Sequence, residues 1–128
     1  MSFCVPGAVR ALTLSLILGL CSAQAAKADA AAGEALFKRH CAVCHSTKAG
    51  EVLSAPSLAR LVGRKSGATP GFPYSAAMKS AGVVWNAASL DAFIAAPRKA
   101  VPKTNMAFTG LPDAAKRADL IAYLATLK

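Results

Sequence analysis

A chain of 128 residues is long enough for one compact core and too short for two independent ones. Its 15 Lys and Arg against 6 Asp and Glu give a net charge of +9, which favours an acidic partner surface. Only 6% of the chain is aromatic, and no basic run carries interleaved aromatics, so nucleic-acid binding is not expected.

The chain opens on an export leader. Arg10 supplies a short positive region, Ala11 to Leu20 form an apolar run, and Ala23-Gln24-Ala25 has the small-x-small pattern of signal-peptidase cleavage. Residues 1–25 therefore read as a cleaved signal peptide, with a second possible cut after Ala28 in Ala26-Lys27-Ala28. The apolar run is shorter than the roughly 20 residues a membrane span needs, so no stable insertion is expected. Leu20 stands before Cys21 where a lipid-attachment signal wants a small residue. Cleavage removes Cys4 and Cys21, leaving residues 26–128 as one domain whose only cysteines are Cys41 and Cys44. A cut after Ala25 takes Arg10 alone from the 15 basic residues and none of the 6 acidic ones, leaving +8; a cut after Ala28 also takes Lys27, leaving +7. The expected compartment is the periplasm of a Gram-negative host, and the expected state is a monomer.

Ala30 to His40 reads as the first helix, with Leu36 and Phe37 as apolar anchors. Gly33 costs such a helix about 1 kcal/mol relative to alanine, which predicts close approach of another element. Cys41-Ala42-Val43-Cys44-His45 follows directly, and this run decides the chemistry. Residues three and four apart share one face of a helical turn, so Cys41, Cys44 and His45 converge on one flat ligand. Two thiols able to form thioethers, next to an imidazole able to reach iron, are the attachment signature of covalent c-type haem. A structural zinc site would need four ligands, commonly two such pairs; no second pair exists here, and the only other histidine is His40. A thiol–disulfide oxidoreductase is a second alternative, since exported proteins carry reactive Cys-x-x-Cys motifs, usually where a strand meets a helix.

Beyond the motif, Lys48 to Pro56 reads as loop, Ser57 to Val62 as a short helical turn, and Gly67 to Pro73 as turn. Ala76 to Ala81 is a short helix ended by Gly82, and Ala87 to Ala95 is a helix ended by Pro97. In the final helix Pro112 suits the first position, Asp113 complements the positive end, and Leu120, Ile121, Leu124 and Leu127 form one apolar stripe. No segment alternates as a strand would, and the fold class is all-α. A second iron ligand must come from elsewhere in the chain. Met106 lies in an irregular segment between Pro102 and Gly110, free of helix constraints, whereas Met78 sits in an alanine-rich helix and reads as core filling.

From Gly33 to the C-terminus the chain resembles a class I cytochrome c, close to mitochondrial cytochrome c and its bacterial periplasmic relatives. The matching residues are Gly33 with Phe37, the haem motif, Pro56 with Leu58, Gly63-Arg64-Lys65, Gly71-Phe72-Pro73-Tyr74 and Trp85. They continue with Pro97, Val101 through Gly110, and Arg117 through Leu124. The resemblance implies that the first and last helices cross at Gly33 and Phe37, against Leu120 and Tyr123. It implies one haem c with His45 and Met106 as axial ligands, and Arg64, Tyr74, Trp85 and Thr104 around the anionic propionates. Pro56 is placed to accept the second N–H of the His45 ring. Phe93 stands where the family often has tyrosine, and Met78 where mitochondrial members have asparagine, so the distal side is drier than usual.

The function that follows is an electron carrier, not an enzyme: a haem c cycling between Fe(III) and Fe(II) and docking on acidic faces of membrane oxidases, reductases or dehydrogenases. Lys38, Arg39, Lys99 and Lys103 are candidates for its basic rim. The alternative in a different class is a peroxidase-like or gas-binding haem enzyme in which Met106 leaves the iron. Phe93 and Met106 supply no acid–base group for such chemistry.

Overall fold

The structure, a computed structural model, describes residues 26–128; the leader read over 1–25 lies outside them. Five helices follow in chain order: α1 (Ala30–His40), α2 (Ala76–Ser80), α3 (Ala87–Ala95), α4 (Pro97–Ala100) and α5 (Ala114–Leu124). The all-α expectation holds for these residues, with a single isolated antiparallel bridge between Lys65 and Val84.

Helix α1 starts where Asp29 accepts a hydrogen bond from the Ala31 amide at 2.8 Å. Lys38 and Arg39 lie in its last turn, where cations favour the helix dipole. It crosses α5 at Gly33, as the sequence predicts. A Cβ on Gly33 would run into the Asp119 backbone carbonyl and lie 2.8 Å from Tyr123 Cβ. Beside this contact the Phe37 and Tyr123 rings pack with centroids 5.4 Å apart, and Leu120 is only 1% exposed. The Asp29 amide also donates to Asp119 Oδ1 at 2.7 Å, tying the start of α1 to α5. Gly33→Ala is therefore expected to lose stability by roughly 1–3 kcal/mol through overpacking against backbone. Thermal melting checks this, at about 4–8 °C per kcal/mol for a domain of this size. An unchanged midpoint would mean that the helices do not touch at this glycine.

Two local expectations need correction, and a third gains a detail. Residues 57–62 form no helix. Ser57 Oγ accepts from the Ala59 amide at 3.1 Å and donates to the Lys48 carbonyl at 2.6 Å, and Arg60 is left-handed at φ 52°. A side-chain hydroxyl that bonds local backbone competes with helix formation. Pro112 is not the first residue of α5: Asp113 is the N-cap, accepting from the Lys116 amide at 3.1 Å, and Pro112 lies outside the helix. Pro97 does end α3, but it also opens α4 at the N1 position, where its missing N–H leaves no bond unmade.

The core gathers Phe37, Leu61, Met78, Trp85, Leu90, Phe93, Ile94, Val101, Leu111, Leu120 and Leu124. Met78 is buried in it, as expected of a gap-filling side chain. Arg117 was legible only as one member of a helical motif, yet its guanidinium is buried and joins three elements. Nε donates to Asp91 Oδ1 on α3 at 2.7 Å, and Nη1 donates to the carbonyls of Leu111 and Pro112 at 3.0 and 2.7 Å. The planar fork of arginine suits such divided bonding, which fixes α5 against α3 and its entry loop.

Candidate haem-attachment site

The Cys-x-x-Cys-His run continues α1 as a tight turn. The Cys41 and Ala42 amides both donate to the Phe37 carbonyl, at 2.8 and 2.9 Å, and the Cys44 and His45 amides donate to the Cys41 carbonyl at 3.0 and 2.9 Å. The two thiols thus stand one turn apart, both half-buried and neither in a disulfide. Val43 between them is 81% exposed. The loop from Ser46 to Leu58 folds back on the motif: the Ala55 amide donates to the Cys44 carbonyl at 3.1 Å, and the Leu58 amide to the Ser46 carbonyl at 2.8 Å.

That return delivers Pro56. His45 Nδ1 lies 2.7 Å from the Pro56 carbonyl oxygen. A carbonyl only accepts, so the ring proton is on Nδ1 and Nε2 keeps its lone pair for a metal. Burial holds His45 below its usual value, against the upward pull of the Pro56 carbonyl, and the nearby Arg64 charge lowers it further. The imidazole is thus neutral near pH 7, the form that ligates iron.

The Cys41 thiol is pushed up to about 11, by burial first and then by Cys44. Catalytic thiols need the opposite shift, so this microenvironment does not suit a thiol oxidoreductase. Among the described residues no three His, Cys, Asp or Glu side chains gather as metal ligands, so the motif has no further donors of a zinc site around it.

The remaining site residues come from four other segments. Arg64 is half-buried, with Nη2 donating to the Ser57 carbonyl at 2.8 Å and Nη1 to the Ala59 carbonyl at 3.1 Å. Tyr74 donates its hydroxyl to Thr69 Oγ1 at 2.8 Å and packs edge-on against Phe72. Trp85 is buried with its ring 5.1 Å from that of Phe93, and its backbone pairs with Gly63 and Arg64 at 2.7 and 2.9 Å. Thr104 is buried, and its Oγ1 accepts from the Met106 amide at 3.4 Å. Met106 is half-buried and packs on the same core as Cys41, Leu58, Tyr74 and Phe108. His40, which directly precedes the motif, is half-buried, with its ring centroid 6.2 Å from that of Phe108. No local pattern announces this contact, because the partners lie far apart in sequence.

Two uncrosslinked thiols one turn apart, a neutral imidazole with Nε2 free, and a thioether on an irregular loop form a donor set that fits a c-type haem. The fold and this set define a small all-α haem-attachment domain. The cytochrome c family model matches residues 30–128. A cytochrome c type-1 from Ascaris suum is 44% identical over 96 residues, covering 75% of this chain and 86% of that protein. A cytochrome c2 from Rhodopila globiformis is 46% identical over 100 residues, covering 78% and 94%. Among solved structures, cytochrome cH from Methylobacterium extorquens superimposes with a TM-score of 0.72 at 41% identity, covering 77% of this chain and 98% of that one. The chain belongs to the cytochrome c family. Its members are electron carriers rather than enzymes, with covalently attached haem c, and Cys41 and Cys44 occupy the attachment positions.

Proposed function

We propose that this protein is a soluble, monomeric, periplasmic electron carrier, exported by the leader over residues 1–25 and ligating haem iron through His45 and Met106. The observation that carries the reading is the 2.7 Å bond from His45 Nδ1 to the Pro56 carbonyl, which would leave a neutral Nε2 with its lone pair available to haem iron. Haem c, once attached, supplies a one-electron Fe(III)/Fe(II) couple. Cys41 and Cys44 hold the ring, and His45, oriented by Pro56, is a strengthened donor. The Met106 thioether is a soft, uncharged donor that favours ferrous iron and raises the potential. Buried Met78, Trp85 and Phe93 keep water from the interior.

Propionates are anionic and costly to bury unpaired. Arg64 suits them, because a guanidinium has five N–H donors and two carbonyls account for only part of that capacity. Thr104 and Trp85, both buried, are the other groups in this reading. Tyr74 commits its proton to Thr69, so its contribution runs through that second hydroxyl.

The spectrum tests the reading directly. The purified protein is expected to show a low-spin c-type spectrum with a sulfur–iron charge-transfer band in the ferric state, and a high-spin ferric spectrum without that band would overturn it.

The partner surface is acidic in this reading. Arg39, Lys99 and Lys103 are exposed, and Lys38 is exposed but paired with Glu34 at 2.7 Å, so it adds less to the field. Exposed charges are screened over a Debye length of about 8 Å at 0.15 M ionic strength. The bimolecular rate of electron transfer to an acidic redox protein, followed by stopped flow, is expected to fall severalfold or more between low salt and about 0.15 M. A rate that is flat or rising with salt would remove the basic docking face.

A further inference from the structure

Lys103 is one of two residues other than glycine with a left-handed backbone, at φ 65°, among the described residues. The Thr104 amide donates to the Val101 carbonyl at 3.1 Å, so Val101 to Thr104 form a β-turn. Pro102 occupies its second position, where a ring-locked negative φ excludes the turn types that need a positive φ there. A positive φ at the third position makes this a type II turn, whose third residue is ordinarily glycine or asparagine. Lysine is strained there, because its Cβ crowds the backbone. Val101 and Thr104 are both buried, so the two ends of the turn are held and the strain stays at the exposed tip. Thr104 then accepts from the Met106 amide, which makes this turn the immediate support of Met106.

We propose that Lys103 is a positioning residue for Met106: its strained left-handed backbone weakens the loop conformation that presents the thioether and so leaves the distal position open to a competing neutral nitrogen ligand. An outlier in backbone angle next to a functional side chain is the kind of stored strain that functional sites retain. The inference rests on the reading of Met106 as iron ligand.

Imidazole is the probe. It competes with a thioether for ferric iron, and its apparent affinity reports the population in which the loop has let go. Binding is titrated by loss of the sulfur–iron band in the wild type and in Lys103→Gly, Lys103→Asn and Lys103→Val. The three variants share one charge and differ in tolerance of positive φ. Gly and Asn are expected to weaken imidazole binding by roughly two- to fivefold, since relief of strain is partly offset by a freer open loop. Val is expected to tighten it by roughly fivefold or more, because a β-branched residue tolerates positive φ worst. If the three variants shift together, or none shifts, strain at Lys103 does not position Met106. Met106→Ala separates the two ideas. Retention of the band in that variant removes the ligand reading and this inference with it. Loss of the band alongside a flat Lys103 series removes this inference alone.

Discussion

Replacing Cys41 and Cys44 together by serine is expected to leave little stably folded protein. Serine has nearly the volume of cysteine, so the exchange barely alters packing and reports on the tether to haem. The tether matters because the polypeptide core is thin. Leu120 and Pro97 are its largest side chains under 2% exposed, and α1, α2, α3 and α5 are rich in alanine. A core with so few large buried side chains gains from a cofactor in the way that small scaffolds gain from a metal or disulfide. Around this core Cys41, Leu58, Tyr74, Met106 and Phe108 are only partly buried, the arrangement expected of side chains that share an apolar cofactor. Circular dichroism of the double variant purified without haem is the measurement. A weak helical signal without cooperative melting is expected, and a native spectrum with a sharp transition would show that the chain folds unaided.

The second large effect is at the distal ligand. Met106→Ala is expected to abolish the sulfur–iron band at neutral pH, whereas Met78→Leu is expected to keep it. Met78 lies in α2 with its side chain in the core, and exchange for leucine conserves volume, at a cost usually below about 1.5 kcal/mol. Met106 lies in the segment between α4 and α5, half-buried at the edge of the core, with its amide supported by Thr104. Losing a soft thioether removes preferential stabilisation of ferrous iron. Each tenfold loss of that preference lowers a one-electron potential by about 59 mV, so a drop of roughly 100 mV or more is expected. The reverse pattern in the two variants would move the ligand to Met78.

The alternative haem-enzyme reading fares differently from the carrier. The family comparisons place the chain among electron carriers. The structure adds that Phe93 packs on Trp85 in the core, an apolar side chain with no proton to exchange.

Much of the local structure follows from residues close in sequence. Asp29, Ser75 and Asn86 cap the helices that follow them, because a short polar side chain can bond an amide two or three residues on. The haem motif is legible for the same reason: three and four residues are the spacing of one helical turn, and the structure keeps that turn through Cys41, Cys44 and His45. The bounds of α1 and α3 match the expected ones. Gly33 was readable as a close contact because a helix tolerates glycine poorly without such a reason.

Tertiary structure alone decided the remainder. Whether residues 57–62 coil depended on Lys48 and Leu127, whose carbonyls take the Ser57 hydroxyl and the Arg60 amide from distant parts of the chain. Arg117 is only one member of a matching helical run until Asp91, Leu111 and Pro112 are brought around it. His40 meets Phe108, and Lys103 takes a left-handed angle, only because the ends of the Met106 loop are buried at fixed points. The sequence by itself determined an all-α chain with a c-type haem motif, because both rest on short-range periodicity. The partners of Arg117, Arg60 and His40 were set by chain closure over long separations, where geometry overrides local preference.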